Sequence, residues 1–126
     1  MHVLVADDDR VTVQWLTGVL SGAGHKVTPA QDASQVIMLA MRSAPDAIIL
    51  DIGMPAGSGE FALQRLKAST KTSMVPVIVL TALQDPDLPT RVRGLGAVEV
   101  LHKPVTPEIL CQTLERVVAA PGTGAA

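Results

Sequence analysis

The chain has almost no aromatic side chains, with one Trp, one Phe and no Tyr among its 126 residues. Its core must therefore be built from Val, Leu, Ile, Ala and Met. Apolar residues nevertheless make up 48% of the sequence and charged residues only 17%. This composition is typical of a well-packed globular protein and excludes general disorder.

The sequence also has few cysteines, no basic run and no long apolar run. Cys111 is the only cysteine, which excludes an internal disulfide, and its helical surroundings favour a structural, buried free thiol. The formal net charge is -2 and Lys and Arg form no run, so we expect no direct nucleic acid binding. No apolar run approaches the ~20 residues of a membrane span, and acids follow the N-terminus too soon for a signal peptide. We therefore expect a cytoplasmic protein with no membrane contact.

The length fits a single domain, which we place at residues 1–120. Residues 121–126 are small, and they are expected to form a flexible tail or the start of a linker. Within the domain, nearly continuous apolar runs predict strands buried on both faces, at residues 3–6, 47–50, 75–80 and 98–101. A weaker strand is predicted at 25–28, ending near Pro29.

Segments with helical apolar spacing lie between these strands. The third one contains Phe61, Leu63 and Leu66. The last one has Thr106 as N-cap and Pro107 at its first position, which predicts a helix at about 107–119. Strands and helices that alternate in this way indicate an α/β fold with a doubly wound parallel sheet, and such sheets carry their sites at the carboxyl ends of the strands.

Polar residues follow four of the five predicted strands. Asp7-Asp8-Asp9 follow the first strand, and Asp51, Thr81 and Lys103 follow the third, fourth and fifth. We expect Asp9 only to cap the next helix. Carboxylates brought together repel one another unless a cation compensates them, so a hard divalent ion with oxygen ligands, Mg²⁺ above all, is the expected occupant.

These residue types suit phosphoryl transfer to a carboxylate, in which the protein positions groups and neutralises charge. Asp51 would be the nucleophile, and Asp7 and Asp8 would hold the metal. The Thr81 hydroxyl and the Lys103 ammonium would bind phosphoryl oxygens.

At these positions the chain resembles the CheY-like receiver domain of two-component response regulators, over about residues 2–119. The resemblance is carried by Asp7-Asp8, Leu50-Asp51, Met54-Pro55, Gly59, Thr81-Ala82 and Lys103-Pro104. It implies a flavodoxin-like fold with five helices and a five-stranded sheet of order 2-1-3-4-5. It also implies phosphorylation of Asp51 by a histidine kinase or histidine phosphotransfer protein, with Mg²⁺ bound by Asp7, Asp8, Asp51 and the Gly53 carbonyl. By the same resemblance the domain is a signalling module rather than an enzyme, catalysing only its own phosphorylation and dephosphorylation.

Further expectations follow from the resemblance. The Lys103-Pro104 peptide should be cis. An output domain or protein should bind the surface of the fourth helix, fifth strand and fifth helix, and a homodimer is possible.

The chain departs from the family pattern at three places. Val100 stands where many receivers carry an aromatic residue that moves on phosphorylation, so any readout must use backbone and loop shifts. Pro86 and Pro89 predict a short fourth helix. Gly53 and Leu83 cannot hydrogen-bond a hydrolytic water through their side chains, which predicts a long-lived phosphorylated Asp51.

Two alternatives remain open from the sequence. One is a pseudo-receiver, an interaction module that has lost phosphorylation, which the valine at position 100 favours. The other is a haloacid dehalogenase-like phosphatase with Asp7 as nucleophile. The latter needs further acids after Lys103, where only Glu108 and Glu115 remain, and it leaves Asp51 unexplained.

Overall fold

A computed structural model describes residues 1–54 and 58–119. Within them, strands and helices alternate along the chain: β1 (His2–Ala6), α1 (Arg10–Gly22), β2 (Lys26–Ala30), α2 (Ala33–Ser43), β3 (Ala47–Leu50), α3 (Ser58–Ala68), β4 (Val77–Thr81), α4 (Leu88–Gly94), β5 (Glu99–His102) and α5 (Pro107–Ala119). The strands form one parallel sheet in the order β2-β1-β3-β4-β5. This confirms the expected fold and strand order. Pro55 and the expected tail at 121–126 lie outside the described residues.

The sheet is buried because alternate side chains of its inner strands face two separate apolar layers. Leu4, Ile48 and Val79 pack on one side with side chains from α2, α3 and α4. Val3, Ile49 and Ile78 pack on the other side with side chains from α1 and α5. Because both faces are covered, these strands are apolar along their whole length, and polar residues are confined to their ends.

Several predicted element bounds are wrong. β2 continues through Pro29, because an edge strand has one side without a partner and tolerates a residue that lacks an N–H. β4 begins at Val77, since the Val75 N–H still closes a turn onto the Thr72 carbonyl. β5 begins and ends one residue later than predicted. Phe61 is exposed, and Ala62 instead shares the buried face of α3 with Leu63 and Leu66.

The helix ends follow the capping chemistry read from the sequence. The Asp9 carboxylate accepts a hydrogen bond from the Val11 N–H, which confirms it as the N-cap of α1. The Thr106 hydroxyl accepts one from the Ile109 N–H at the start of α5. The predicted short fourth helix is confirmed, because α4 has seven residues with Pro89 in its first turn. Cys111 is a free thiol on α5, partly rather than fully buried.

None of the helices in the described ranges is both long and apolar enough to cross a bilayer. The expected cytoplasmic location stays a prediction.

Candidate phosphoryl acceptor site

Three carboxylates meet where β1 and β3 end. The two strands are hydrogen-bonded neighbours in which Ala6 pairs with Leu50, and the Asp51 N–H donates to the Ala6 carbonyl at 2.8 Å. Each of Asp7, Asp8 and Asp51 therefore offers an oxygen within 4.8 Å of the other two. Asp7 is 2% exposed and Asp51 8%, whereas Asp8 is open to solvent. The convergence expected from the strand ends is present in the structure.

Lys103 reaches this acidic cluster from the end of β5. Its Nζ lies 2.8 Å from Asp7 Oδ2 and 3.8 Å from Asp51 Oδ2, so it pairs mainly with Asp7. Its backbone N–H donates to the Thr81 carbonyl at 2.8 Å, which aligns the ends of β5 and β4. The Lys103-Pro104 peptide is cis, as the resemblance implied.

Thr81 is the last residue of β4 and is fully buried. Its hydroxyl oxygen accepts a hydrogen bond from the Leu83 N–H at 3.0 Å. The side chain that was expected to bind a phosphoryl oxygen thus contacts the backbone leading to α4. If the Thr81 hydroxyl changes its partner, this segment loses its hydrogen bond to the end of β4.

The electrostatics of the site favour a bound cation. The pKa of Asp51 is raised to about 6, chiefly by burial and also by the neighbouring Asp7 charge, while the Gly53 N–H and Lys103 oppose this shift. Burial lowers the pKa of Lys103, but its bond to Asp7 and the charge of Asp51 outweigh burial, and the net shift is upward. Lys103 therefore stays an ammonium ion. One ammonium ion compensates only part of the charge of three carboxylates.

The donor set fits Mg²⁺, which prefers carboxylate and carbonyl oxygens. Asp7, Asp8 and Asp51 are the only group of three acid, His or Cys side chains within residues 1–54 and 58–119 that is close enough to share an ion. Gly53 adjoins them, and its N–H donates to Asp51 Oδ1 at 2.8 Å. Its carbonyl as a ligand stays a prediction. Glu108 and Glu115, the acids left for the phosphatase alternative, are not part of the group.

Gly59 lies where α3 meets the segment that carries Asp51. A Cβ at this position would lie 2.7 Å from Ile52 Cα and 2.8 Å from the Asp51 carbonyl oxygen. Only glycine lets α3 approach the segment that carries Asp51 this closely. No local sequence pattern reveals this contact, since it depends on how α3 packs.

An apolar groove beside Lys103 was also missed. It has a volume of about 390 Å³, and its lining consists of Val11, Thr12, Trp15, Leu80, Lys103, Pro104 and Val105. Trp15, the only tryptophan, is 38% exposed there. The groove joins the first turns of α1 to the β5–α5 connection, so it opens next to the acidic cluster.

A second cleft lies between the segments that follow β3 and β4. It measures about 240 Å³, and its lining consists of Ile52, Gly53, Met54, Glu60, Leu83, Leu88 and Arg91. Leu83 is 44% exposed within it. A Cβ on Gly53 would lie 3.2 Å from Asp51 Oδ1 and 3.7 Å from Leu83 Cγ, so the lining next to Asp51 consists of glycine and leucine, which offer no side-chain hydrogen bond.

Comparisons with known proteins agree with this geometry. The family profile of the response regulator receiver domain matches residues 3–115. Protein PilH of Pseudomonas aeruginosa is 32% identical over 118 residues, which cover 94% of this chain and 98% of PilH. The crystal structure of the receiver domain of a Pseudomonas aeruginosa sensor histidine kinase, with magnesium in its active-site cleft, superposes with a TM-score of 0.86 at 28% identity. That match covers 94% of this chain and 98% of the receiver domain.

Other relatives are longer than this chain. Transcriptional regulatory protein HprR of Escherichia coli is 39% identical over 106 residues, which are 82% of this chain but only 45% of HprR. The chain thus matches both a relative of its own length and part of a protein about twice as long.

Proposed function

The chain belongs to the response regulator receiver domain family of two-component signalling, and from this premise we propose that it is a phosphoaspartate switch with Asp51 as acceptor. A histidine kinase or a histidine phosphotransfer protein would supply the phosphoryl group. The observation that carries the proposal is the convergence of Asp7, Asp8 and Asp51 within 4.8 Å, with the Lys103 ammonium 2.8 Å from Asp7. The domain is a signalling module, and the only reactions proposed for it are its own phosphorylation and dephosphorylation.

In the transfer step, an Asp51 carboxylate oxygen attacks the phosphorus of the partner's phosphohistidine. The phosphorus–nitrogen bond breaks, its electron pair returns to the imidazole, and an acyl phosphate forms on Asp51. The pKa of Asp51 is raised to about 6, so the carboxyl is mostly ionised at neutral pH and available as a nucleophile. Its burial keeps competing water away from the reacting oxygen.

Charge neutralisation is shared among the surrounding groups. Asp7, Asp8, Asp51 and the Gly53 carbonyl would hold Mg²⁺, which would supply positive charge to the phosphoryl oxygens. Lys103 moves its ammonium from Asp7 onto a phosphoryl oxygen, a displacement that its 3.8 Å separation from Asp51 makes short. The Thr81 hydroxyl gives up its bond from the Leu83 N–H and donates to a second phosphoryl oxygen.

Two surfaces serve the partners in this proposal. The groove at Trp15 borders Lys103 and provides apolar contact for the protein that delivers the phosphoryl group. The face of α4, β5 and α5 serves the output partner or a second copy of the domain. Glu99 joins these three elements, since Arg93 of α4 and Arg116 of α5 bind its two oxygens at 2.6 and 2.8 Å.

The test is phosphorylation by a small donor. The parent and an Asp51→Asn variant are incubated with Mg²⁺ and acetyl phosphate, and both are measured by intact mass. The parent is expected to gain one phosphoryl group and the variant none. Omission of Mg²⁺, or addition of EDTA, should suppress the adduct in the parent because the phosphoryl charge is then less well neutralised.

Other outcomes would contradict the proposal. An unmodified parent that is folded and fails with a second phosphodonor would favour the pseudo-receiver, for which the half-buried Val100 of β5 is the supporting feature. An adduct that persists in Asp51→Asn would transfer the nucleophile to another carboxylate, with Asp7 of the phosphatase alternative tested next.

A further inference from the structure

We propose that Glu60, Arg91 and Asp85 form a brace that holds the α4–β5 edge, residues 83–102, in its unphosphorylated arrangement and thereby limits how readily the switch turns. The proposal rests on the function assigned above to Asp51 and Thr81. It concerns regulation of that site by residues that bind neither the metal nor the phosphoryl group.

The brace joins three parts of the chain. Arg91 of α4 donates from Nε to Glu60 Oε1 at 2.5 Å, and Glu60 lies in the first turn of α3. The same guanidinium donates from Nη1 to Asp85 Oδ2 at 3.2 Å, and Asp85 lies in the segment between β4 and α4. A single side chain thus fixes both the position of α4 against α3 and the path of the chain entering α4.

Asp85 also organises the start of α4. Its carboxylate accepts from the Asp87 N–H at 2.9 Å, and its carbonyl accepts from the Leu88 N–H at 3.1 Å. Asp87, the N-cap residue, makes no side-chain capping bond. The helix has only seven residues, so the attachment of its first turn depends on Asp85 and its partner Arg91.

The brace is coupled to the acceptor site through a short path. Thr81 is bonded to the Leu83 N–H, and Leu83 and Leu88 line the cleft that Glu60 and Arg91 border. When the Thr81 hydroxyl turns to a phosphoryl oxygen, the Leu83 bond is lost and residues 83–88 are free to shift. Asp85 lies within this segment and Arg91 is held by Glu60 of α3, so a shift of the segment against α3 strains the pairs of Arg91. The brace therefore opposes the phosphorylated arrangement.

The test measures how tightly the full chain binds beryllofluoride in the presence of Mg²⁺. Beryllofluoride mimics a phosphoryl group. The parent is compared with Arg91→Gln, Glu60→Gln and, as matched control, Arg116→Gln. The control loses an exposed ion pair between α5 and Glu99, while Glu99 keeps its bond to Arg93 of α4. Exposed pairs contribute little each, so we expect Arg91→Gln and Glu60→Gln to tighten apparent binding by about two- to fivefold. The double variant should add little to Arg91→Gln, and Arg116→Gln should match the parent.

Ionic strength gives a second measure. The side chains of Arg91, Glu60 and Asp85 are 45%, 32% and 42% exposed, so 1 M NaCl should screen their ion pairs. The difference in beryllofluoride affinity between the parent and Arg91→Gln should then become smaller. Circular dichroism of each variant checks that it is folded.

Different results would contradict the brace and the phosphoaspartate switch. Unchanged or weaker binding by Arg91→Gln and Glu60→Gln, or equal tightening by Arg116→Gln, would overturn the brace while leaving the phosphoaspartate switch intact. A parent that does not bind beryllofluoride would refute the switch itself and the coupling with it.

Discussion

The inner strands and the α4–β5 edge are held in different ways. β1, β3 and β4 contain no Asp, Glu, Lys or Arg, and every residue of β3 and β4 is buried. β5 has no fully buried residue, and α4 is short. Arg91 and Arg93 attach α4 to its neighbours through exposed carboxylate pairs. The inner strands are fixed by apolar burial, whereas the α4–β5 edge adds exposed ion pairs to the burial of Leu88 and Val92.

This difference matches the two proposed functions, phosphoryl transfer and the response to it. Phosphoryl transfer needs Asp7 and Asp51 at fixed positions, and apolar burial of the strands beneath them provides those positions. A signalling surface must change arrangement at small energetic cost, and exposed ion pairs exchange partners cheaply. The acceptor is therefore built on the inner strands β1, β3 and β4, which we call the rigid region. The expected response is built on the α4–β5 edge, residues 83–102, which we call the adjustable region.

The largest effect is expected where α3 meets the rigid region. Gly59→Ala forces a methyl group into the Ile52 and Asp51 backbone, which cannot yield as a flexible side chain can. We expect a loss of about 3 kcal/mol in the free energy of unfolding, measured in urea. Gly18→Ala is the control, because nothing lies within 4 Å of its added carbon and the exposed helix should gain about 0.5–1 kcal/mol. Equal values for the two variants would contradict the close approach.

A smaller effect is expected from the ionisation of Asp51, which is buried at the end of the rigid region. The pKa of Asp51 is raised to about 6, chiefly by burial, so its protonated form favours the fold and this contribution is lost as pH rises from about 4 through 6. In EDTA, Asp51→Asn should equal the parent near pH 4 and exceed its unfolding free energy by about 2 kcal/mol at pH 7. The measurement is urea unfolding across that pH range.

Asp9→Asn is a control of opposite sign. The Thr12 hydroxyl and the Val11 N–H lower the pKa of Asp9, so the parent gains stability over this variant as pH rises to about 4 and keeps that advantage at pH 7. A gain at pH 7 for both variants would point to a general charge effect instead of the burial of Asp51. Addition of Mg²⁺ should reduce the advantage of Asp51→Asn.

The smallest effect concerns the first residue of the adjustable region. Leu83→Asn places a hydrogen-bonding group beside Gly53 and Asp51, where it can orient an attacking water. One added bond of about 1.4 kcal/mol in the transition state would speed loss of the phosphoryl group roughly tenfold. The rate is followed by intact mass after removal of the donor. Leu83→Ala should leave decay near the parent rate, which we expect to be slow, and loss of the parent's label within seconds in Mg²⁺ would contradict that expectation.

The rigid region was predictable because its physics is local. Continuous apolar runs predict buried strands, and parallel strands place their carboxyl ends together, so the convergence of Asp7 and Asp51 followed from the sequence. Where a strand lies in the sheet is not local information. Pro29 was therefore taken as a strand terminator, although at an edge it is tolerated.

The adjustable region was predictable only in outline. Two prolines predicted the length of α4, but the Glu60–Arg91 pair joins residues 31 positions apart, and no spacing rule connects them. Apolar spacing did not distinguish the exposed Phe61 from the buried Leu63 and Leu66, because spacing alone does not show which stripe of α3 faces the sheet. Contacts of this kind are decided by packing, which a single sequence does not display.

The groove at Trp15 also has a spectroscopic consequence. The chain has no Tyr, so its near-ultraviolet emission comes from one indole, which shares the groove with Lys103 and Pro104. Lys103 belongs both to this groove and to the acidic cluster, so a displacement of its side chain changes the surroundings of the indole. The unmodified protein therefore contains its own optical reporter, and its emission should record occupancy of the site in real time without any attached dye.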